Sequence, residues 1–100
     1  MGAITKVSDI TTTDLAEYLR LVDPSNADTQ TLSNLLGVAK AFIEQYTGRT
    51  AEELDDYDDI VIVVFVLVQD MWDNRTLYVD NANMNKVVES ILGLHSVNLL

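Results

Sequence analysis

No cysteine occurs anywhere in the chain. That excludes a disulfide framework, a thiolate zinc site and a cysteine nucleophile, and it leaves the redox compartment unread. Cations are scarce: six Lys and Arg stand against sixteen Asp and Glu, a formal net charge of −10. A general nucleic-acid surface needs a basic patch to neutralise phosphates, and docking on anionic lipid needs the same, so this balance argues against both. The glycines, Gly2, Gly37, Gly48 and Gly93, are too scattered to form a phosphate-cradling loop. Histidine appears once, at His95. A catalytic base needs an orienting group and a nucleophile, and neither is suggested by the neighbours of His95 in sequence, so it reads as a tail or interface residue. Residues 1–13 lack a basic stretch followed by an apolar one, so no signal peptide is expected and the protein is expected to be soluble and made in the cytoplasm.

What is abundant is apolar surface. The chain is 48% hydrophobic over 100 residues, which fits one globular domain spanning 1–100 with one modest core. The dominant stretch is Ile60 to Val68, nine consecutive apolar residues between Asp58-Asp59 and Gln69-Asp70. It is too short to span a bilayer, which takes about 20 residues as helix. Its β-branched content leans to strand. Context leans the other way, because no turn residue interrupts the segment from Asp58 to Arg75, whose length is ordinary for a helix and long for a strand. The expectation is a central, all-round apolar helix at about 58–75.

The flanking segments also read as helical. Thr11 is a candidate N-cap with Asp14 at N3, and Ile10 and Leu15 fall at the hydrophobic-staple positions. A first helix is expected from about Thr12 to Leu21, with Leu15, Tyr18, Leu19 and Val22 on its apolar face and Pro24 ending it. Asp28 or Asn26 then caps a second helix, whose Leu32, Leu35, Leu36, Ala39, Phe42, Ile43 and Tyr46 form an amphipathic stripe closed by Gly48. Gly37 interrupts that helix, and a close helix–helix approach is one way to compensate. Thr50-Ala51-Glu52-Glu53 is a capping box for a short turn ending near Tyr57. Leu77-Tyr78-Val79 reads as extended. Asp80 to Asn83 reads as a turn in which Asn83 caps a last helix carrying Val87, Val88, Ile91 and Leu92 and closed by Gly93. The tail beyond it, with Leu94, Val97, Leu99 and Leu100, is apolar enough to suggest a contact. The fold class is therefore all-α, a small bundle of four to five helices.

Chemistry is harder to find. Asp55, Asp56, Asp58 and Asp59 place four carboxylates in five residues. They lack the alternating ligands, central Gly and terminal Glu of a calcium loop, so a solvated cap or partner-facing acidic patch is the reading. Asp70 and Asp73 share a helix face and read as surface charges or partners of Arg75. Arg75 ends the most apolar helix, where a cation suits the negative helix terminus and its fork also fits a carboxylate or carbonyls of a neighbouring chain. Trp72 and Tyr78 are aromatics suited either to a core or to a contact surface.

The order of these segments resembles the small head–tail connector (head-completion adaptor) proteins of tailed phages and prophages. The resemblance rests on Asp14-Leu15 with Tyr18-Leu19-Arg20, on Phe42-Ile43-Glu44 with Tyr46-Thr47-Gly48, on Asn74-Arg75, and on Val87-Val88 with Ile91-Leu92. It covers nearly all of the chain, through helix-packing patterns rather than a chemical signature. It implies a non-enzymatic, cofactor-free structural subunit of a virion, forming a homo-oligomeric ring of about a dozen copies with heterologous contacts. That ring would sit below the portal protein at the head–tail junction, extend the DNA channel and offer a docking surface to tail-side proteins. DNA would pass without sequence-specific binding, and no membrane would be involved. The expected subunit or partner contacts are Arg49, Trp72, Arg75, Tyr78, Leu94, Val97, Leu99 and Leu100. The acidity alone supports a second reading, a small helical regulator or nucleic-acid mimic that binds one basic cellular protein.

Overall fold

The structure, a computed structural model, describes residues 4–97 apart from the Ala82 side chain. Five α-helices follow in order: α1 (Thr12–Tyr18), α2 (Asn26–Thr47), α3 (Ala51–Leu54), α4 (Asp59–Asn74) and α5 (Lys86–His95). Single 3-10 turns lie at Val7–Asp9 and Asn81–Asn83. Among the described residues there is no strand, and the chain is the all-α bundle that its periodicity predicts.

Ile60 to Val68 is helical, and α4 packs on α2, on α5, and on α1 with the Val7–Asp9 turn. Ile60, Val61, Val63, Val64, Phe65, Leu67, Val68 and Met71 are buried. One stripe stays open, where Ile62 is 54% exposed and Val66 half-buried, and the stripe continues through Gln69, Asp70 and Asp73. The chain thus covers most of its own apolar helix. Helix α2 ends, and α4 begins, at the end of the bundle where the last turn of α5 meets both, so α4 runs antiparallel to α2 and to α5.

Helix starts follow local chemistry. Thr11 Oγ1 accepts from the Asp14 N–H (3.2 Å) while the Asp14 carboxylate accepts from the Thr11 N–H (2.9 Å), and Ile10 and Leu15 are both buried. Thr50 and Glu53 make the same reciprocal pair, and the hydrogen bonds from Thr50 hold the Glu53 carboxyl below its ordinary pKa. The N-cap of α2 is Ser25 rather than Asn26 or Asp28: Ser25 Oγ accepts from the Asp28 N–H, and Asp28 returns its carboxylate to the Ser25 N–H, both at 3.1 Å. Likewise Asn85, not Asn83, caps α5, accepting from the Val87 N–H (2.8 Å). Asn83 is itself held by Asp80.

Several ends differ from expectation. Helix α1 stops at Tyr18, before Leu21, because Arg20 turns left-handed (φ 59°). The Leu21 N–H then bonds the Ala16 carbonyl (3.0 Å) and the Arg20 N–H bonds the Glu17 carbonyl (3.1 Å), a Schellman closure with arginine where glycine is usual. Val22 is consequently outside the helix and fully exposed. Leu77-Tyr78 forms a bend instead of an extended stretch. Helix α5 continues through Gly93 to His95, with no left-handed turn at the glycine. Gly48 does close α2, at φ 71° with its N–H on the Glu44 carbonyl (2.9 Å).

Gly37 does not mark a close approach. It is exposed, and a methyl group there would meet no neighbour within 4 Å. Its cost is therefore purely that of glycine in a helix. Gly37→Ala is expected to raise stability by about 0.5–1 kcal/mol, read as a higher urea midpoint with an unchanged slope.

Candidate functional site

Each end of α4 gathers an arginine and aromatic side chains outside the core. Sixteen residues of helix separate the two ends by about 24 Å.

The C-terminal end closes on Arg75, left-handed at φ 55°. The Thr76 N–H bonds the Met71 carbonyl (3.0 Å) and the Arg75 N–H bonds the Trp72 carbonyl (3.3 Å), a second Schellman closure on arginine. This turn lays the Arg75 guanidinium over the Trp72 ring, 5.2 Å from its centroid. Trp72 is half-buried and Arg75 is exposed. The bend that follows projects Leu77 and Tyr78, 67% and 64% exposed. A cleft lies on each side of it. One, about 150 Å³, is lined by Leu35, Met71, Trp72, Arg75 and Leu77 and is largely apolar. The other, about 180 Å³, is lined by Leu67, Asp70, Tyr78, Asp80, Asn83 and Met84. Partial burial at its edge, and then the neighbouring Asp73 charge, raise the Asp70 carboxyl above its ordinary pKa. Asp70 therefore favours the fold only while protonated, and that contribution is lost as pH rises through its raised folded value.

The other end gathers residues from four segments. His95 Nε2 lies 2.8 and 2.9 Å from the two Asp59 carboxylate oxygens, and its ring stacks on Tyr57 with centroids 4.1 Å apart. Arg49 sits with its guanidinium 5.2 Å from the Tyr57 centroid, donates from Nε to the His95 carbonyl, and pairs through Nη1 with Glu53 (3.2 Å). The buried Thr47 Oγ1 donates to the Ile43 carbonyl (2.7 Å), and its own carbonyl accepts from the Val97 N–H (2.8 Å). These contacts explain why α5 outruns Gly93. Asp59 is the orienting group that the neighbours of His95 in sequence did not reveal. Through this contact and the Tyr57 stack, His95 fastens the end of α5 to the start of α4.

The acidic patch divides. Asp55 is committed inside, accepting from the Ser8 N–H (3.0 Å) and Oγ (2.8 Å), and Asp59 is committed to His95. Asp56 and Asp58 remain exposed. Among the described residues no group of three or more His, Asp or Glu side chains is placed to hold a metal ion, and no helix is long and apolar enough to cross a membrane.

Of the expected contact residues, Arg49 and Val97 lie at the His95 end, and Trp72, Arg75 and Tyr78 at the other. Leu94 is on the outer face of α5, 75% exposed, one helical stripe with Val87 (62% exposed) and the half-buried Ile91. Leu99 and Leu100 fall outside the described residues. Sequence reasoning missed Tyr57, Leu77 and the outward role of Val87. A signal for the last was present, since Val87, Val88, Ile91, Leu92 and Leu94 are too many apolar residues for one face of a short helix. Comparison with protein-family models, with curated proteins and with solved structures finds no match to this chain.

The Ser8 hydrogen bonds, with the Lys6 and Lys40 charges behind them, hold the Asp55 carboxyl below its ordinary pKa. A depressed folded pKa gives stability that is fully present above the unfolded value, about 3.9, and is lost as pH falls through the folded one. Asp55→Asn should therefore be less stable than the natural protein at pH 7, with the gap closing towards pH 2 in urea titrations across that range.

His95→Ala removes a ring stack and a hydrogen bond to a carboxylate, an expected loss of about 1–2 kcal/mol. A double-mutant cycle with Asp59→Asn should return a coupling of about 0.5–1.5 kcal/mol, reduced by the partial exposure of the pair. A coupling of zero would make the pair incidental.

Proposed function

We propose that this chain is a head–tail connector subunit of a tailed phage or prophage, a non-enzymatic structural adaptor that assembles as a ring. The observation that carries the reading is the division of its exposed apolar groups. Leu77 and Tyr78 with Arg75 stand at one end of α4, while Val97 beside Arg49 stands at the other. A ring made by heterologous contacts needs two different patches on one subunit, so that each copy meets its neighbours through unlike surfaces. The connector-like order of segments along the chain supports the same conclusion.

In this reading α4 is the rigid spacer between the two patches, and the outer stripe of α5 is the surface offered to the portal or to tail-side proteins. The net charge of −10, repeated around a ring, surrounds the conduit with negative potential. DNA then slides through, because few cations hold its phosphates. The subunit takes no cofactor, does not engage a membrane, and belongs at the head–tail junction of the virion after synthesis in the bacterial cytoplasm. Against the nucleic-acid-mimic alternative, two of the four carboxylates in the acidic patch are already bound within the chain and are not free to imitate phosphates.

The test is negative-stain imaging with light scattering on the purified chain at high concentration, alone and with portal protein. Closed rings with cyclic symmetry are expected. Leu77→Asp combined with Leu94→Asp should weaken assembly at least tenfold while leaving the unfolding free energy from urea titration within about 0.5 kcal/mol of the natural protein, since both side chains are exposed. A monomer or dimer under every condition, or salt-sensitive capture of a single basic protein, overturns the reading.

A further inference from the structure

We infer that the apolar cleft at the C-terminal end of α4 is the receptor for the Leu99-Leu100 segment of a neighbouring copy. The inference rests on the ring reading and specifies which surfaces meet. The cleft encloses about 150 Å³ between α2 and the end of α4, with Leu35, Met71, Trp72 and Leu77 as walls. That space suits a branched aliphatic side chain. Its rim carries Arg75, which is fixed over Trp72 and has no carboxylate in ion-pair distance among the described residues. Five donors in a planar fork therefore face outward beside an apolar hole. An extended segment that offers leucine side chains together with backbone carbonyls matches both features.

The source of that segment follows from reach. Residue 97 is tied to the far end of the bundle by its N–H on the Thr47 carbonyl, and His95 is tied there by Asp59. From Asp59 to Trp72 along α4 is about 20 Å, and from Thr47 back to Leu35 along α2 is about 18 Å, at the helical rise per residue. Three residues beyond Val97 span at most about 11 Å even when fully extended. Leu99 and Leu100 therefore fall short of the cleft of their own chain and can enter only that of another copy. A contact from the His95 end of one subunit to the Trp72 end of the next is heterologous, and repeating it with one sense builds a ring when the rotation between copies closes and an open filament when it does not. The clamp made by Arg49, Tyr57, Asp59 and His95 then acquires a purpose, because it fixes where the donated segment leaves the donor.

A photo-cross-linking residue at position 99 of the full chain, in a mixture of isotope-labelled and unlabelled protein assembled with portal, tests this directly. Mixed-isotope adducts onto residues 71–77 are expected. Leu99→Asp with Leu100→Asp should lower the yield of rings at least tenfold. Arg75→Gly, which keeps the left-handed backbone comfortable, should lower it severalfold with the fold intact. Rings whose adducts lie within one chain, or on any other segment of the neighbour, overturn the cleft assignment and leave the ring reading standing. If no ring forms with or without portal, the ring reading falls and this inference falls with it.

Discussion

Helix α4 must be covered, and the arrangement of the other elements follows from that requirement. A helix apolar on nearly every side exposes unfavourable surface in all directions, and one neighbouring helix covers only a third or so of its circumference. Three helices and the N-terminal turn are recruited to do it. The valines and isoleucines of α4 are poor helix formers, each about half a kcal/mol worse than alanine. Full burial of each such side chain is worth about 1.5–3 kcal/mol. Packing therefore outweighs local preference several times over, and Ile60 to Val68 is a helix although its composition favours a strand.

Covering α4 with antiparallel partners has a second effect. The end of α2, the start of α4 and the end of α5 meet at one end of the bundle, where their caps and side chains interlock. Several of the acids serve internal order. Asp14, Asp28, Glu53 and Asp80 each accept a backbone N–H at a helix or turn start, while Asp55 and Asp59 tie distant segments together. A strongly negative chain thus uses many of its carboxylates as fasteners. Its few arginines stand where geometry is demanding, at the left-handed closures of α1 and α4 and under the last turn of α5.

The connector role proposed above would draw on this division of labour. A rigid α4 holds two unlike surfaces at a fixed separation, one built round Trp72 and Arg75, the other round Arg49 and His95. An adaptor needs stable spacing and unlike contact surfaces more than it needs a deep pocket, and a core of this size can supply the first two. The proposed exchange of the segment after Val97 would join these surfaces between copies without any rearrangement of the bundle.

What the amino-acid order determined by itself was whatever depends on neighbours a few positions apart. The capping boxes at Thr11 and Thr50, the stripe from Leu32 to Ile43 and the stop at Gly48 are all of this kind, because each is decided by residues within a few turns of chain. Competing local signals were already harder: Ser25 won over Asn26 and Asp28, and Asn85 over Asn83, since several residues at each start were chemically able to cap. Tertiary structure alone decided the rest. Arginine at the left-handed turns Arg20 and Arg75 has no sequence mark, because glycine, the usual residue of such a closure, stands at neither. The extension of α5 past Gly93 exists because Asp59, Arg49 and Thr47, distant in sequence, hold His95 and Val97. The pairing of His95 with Asp59 joins residues 36 positions apart, and only the folding of α5 back along α4 brings them within hydrogen-bonding distance.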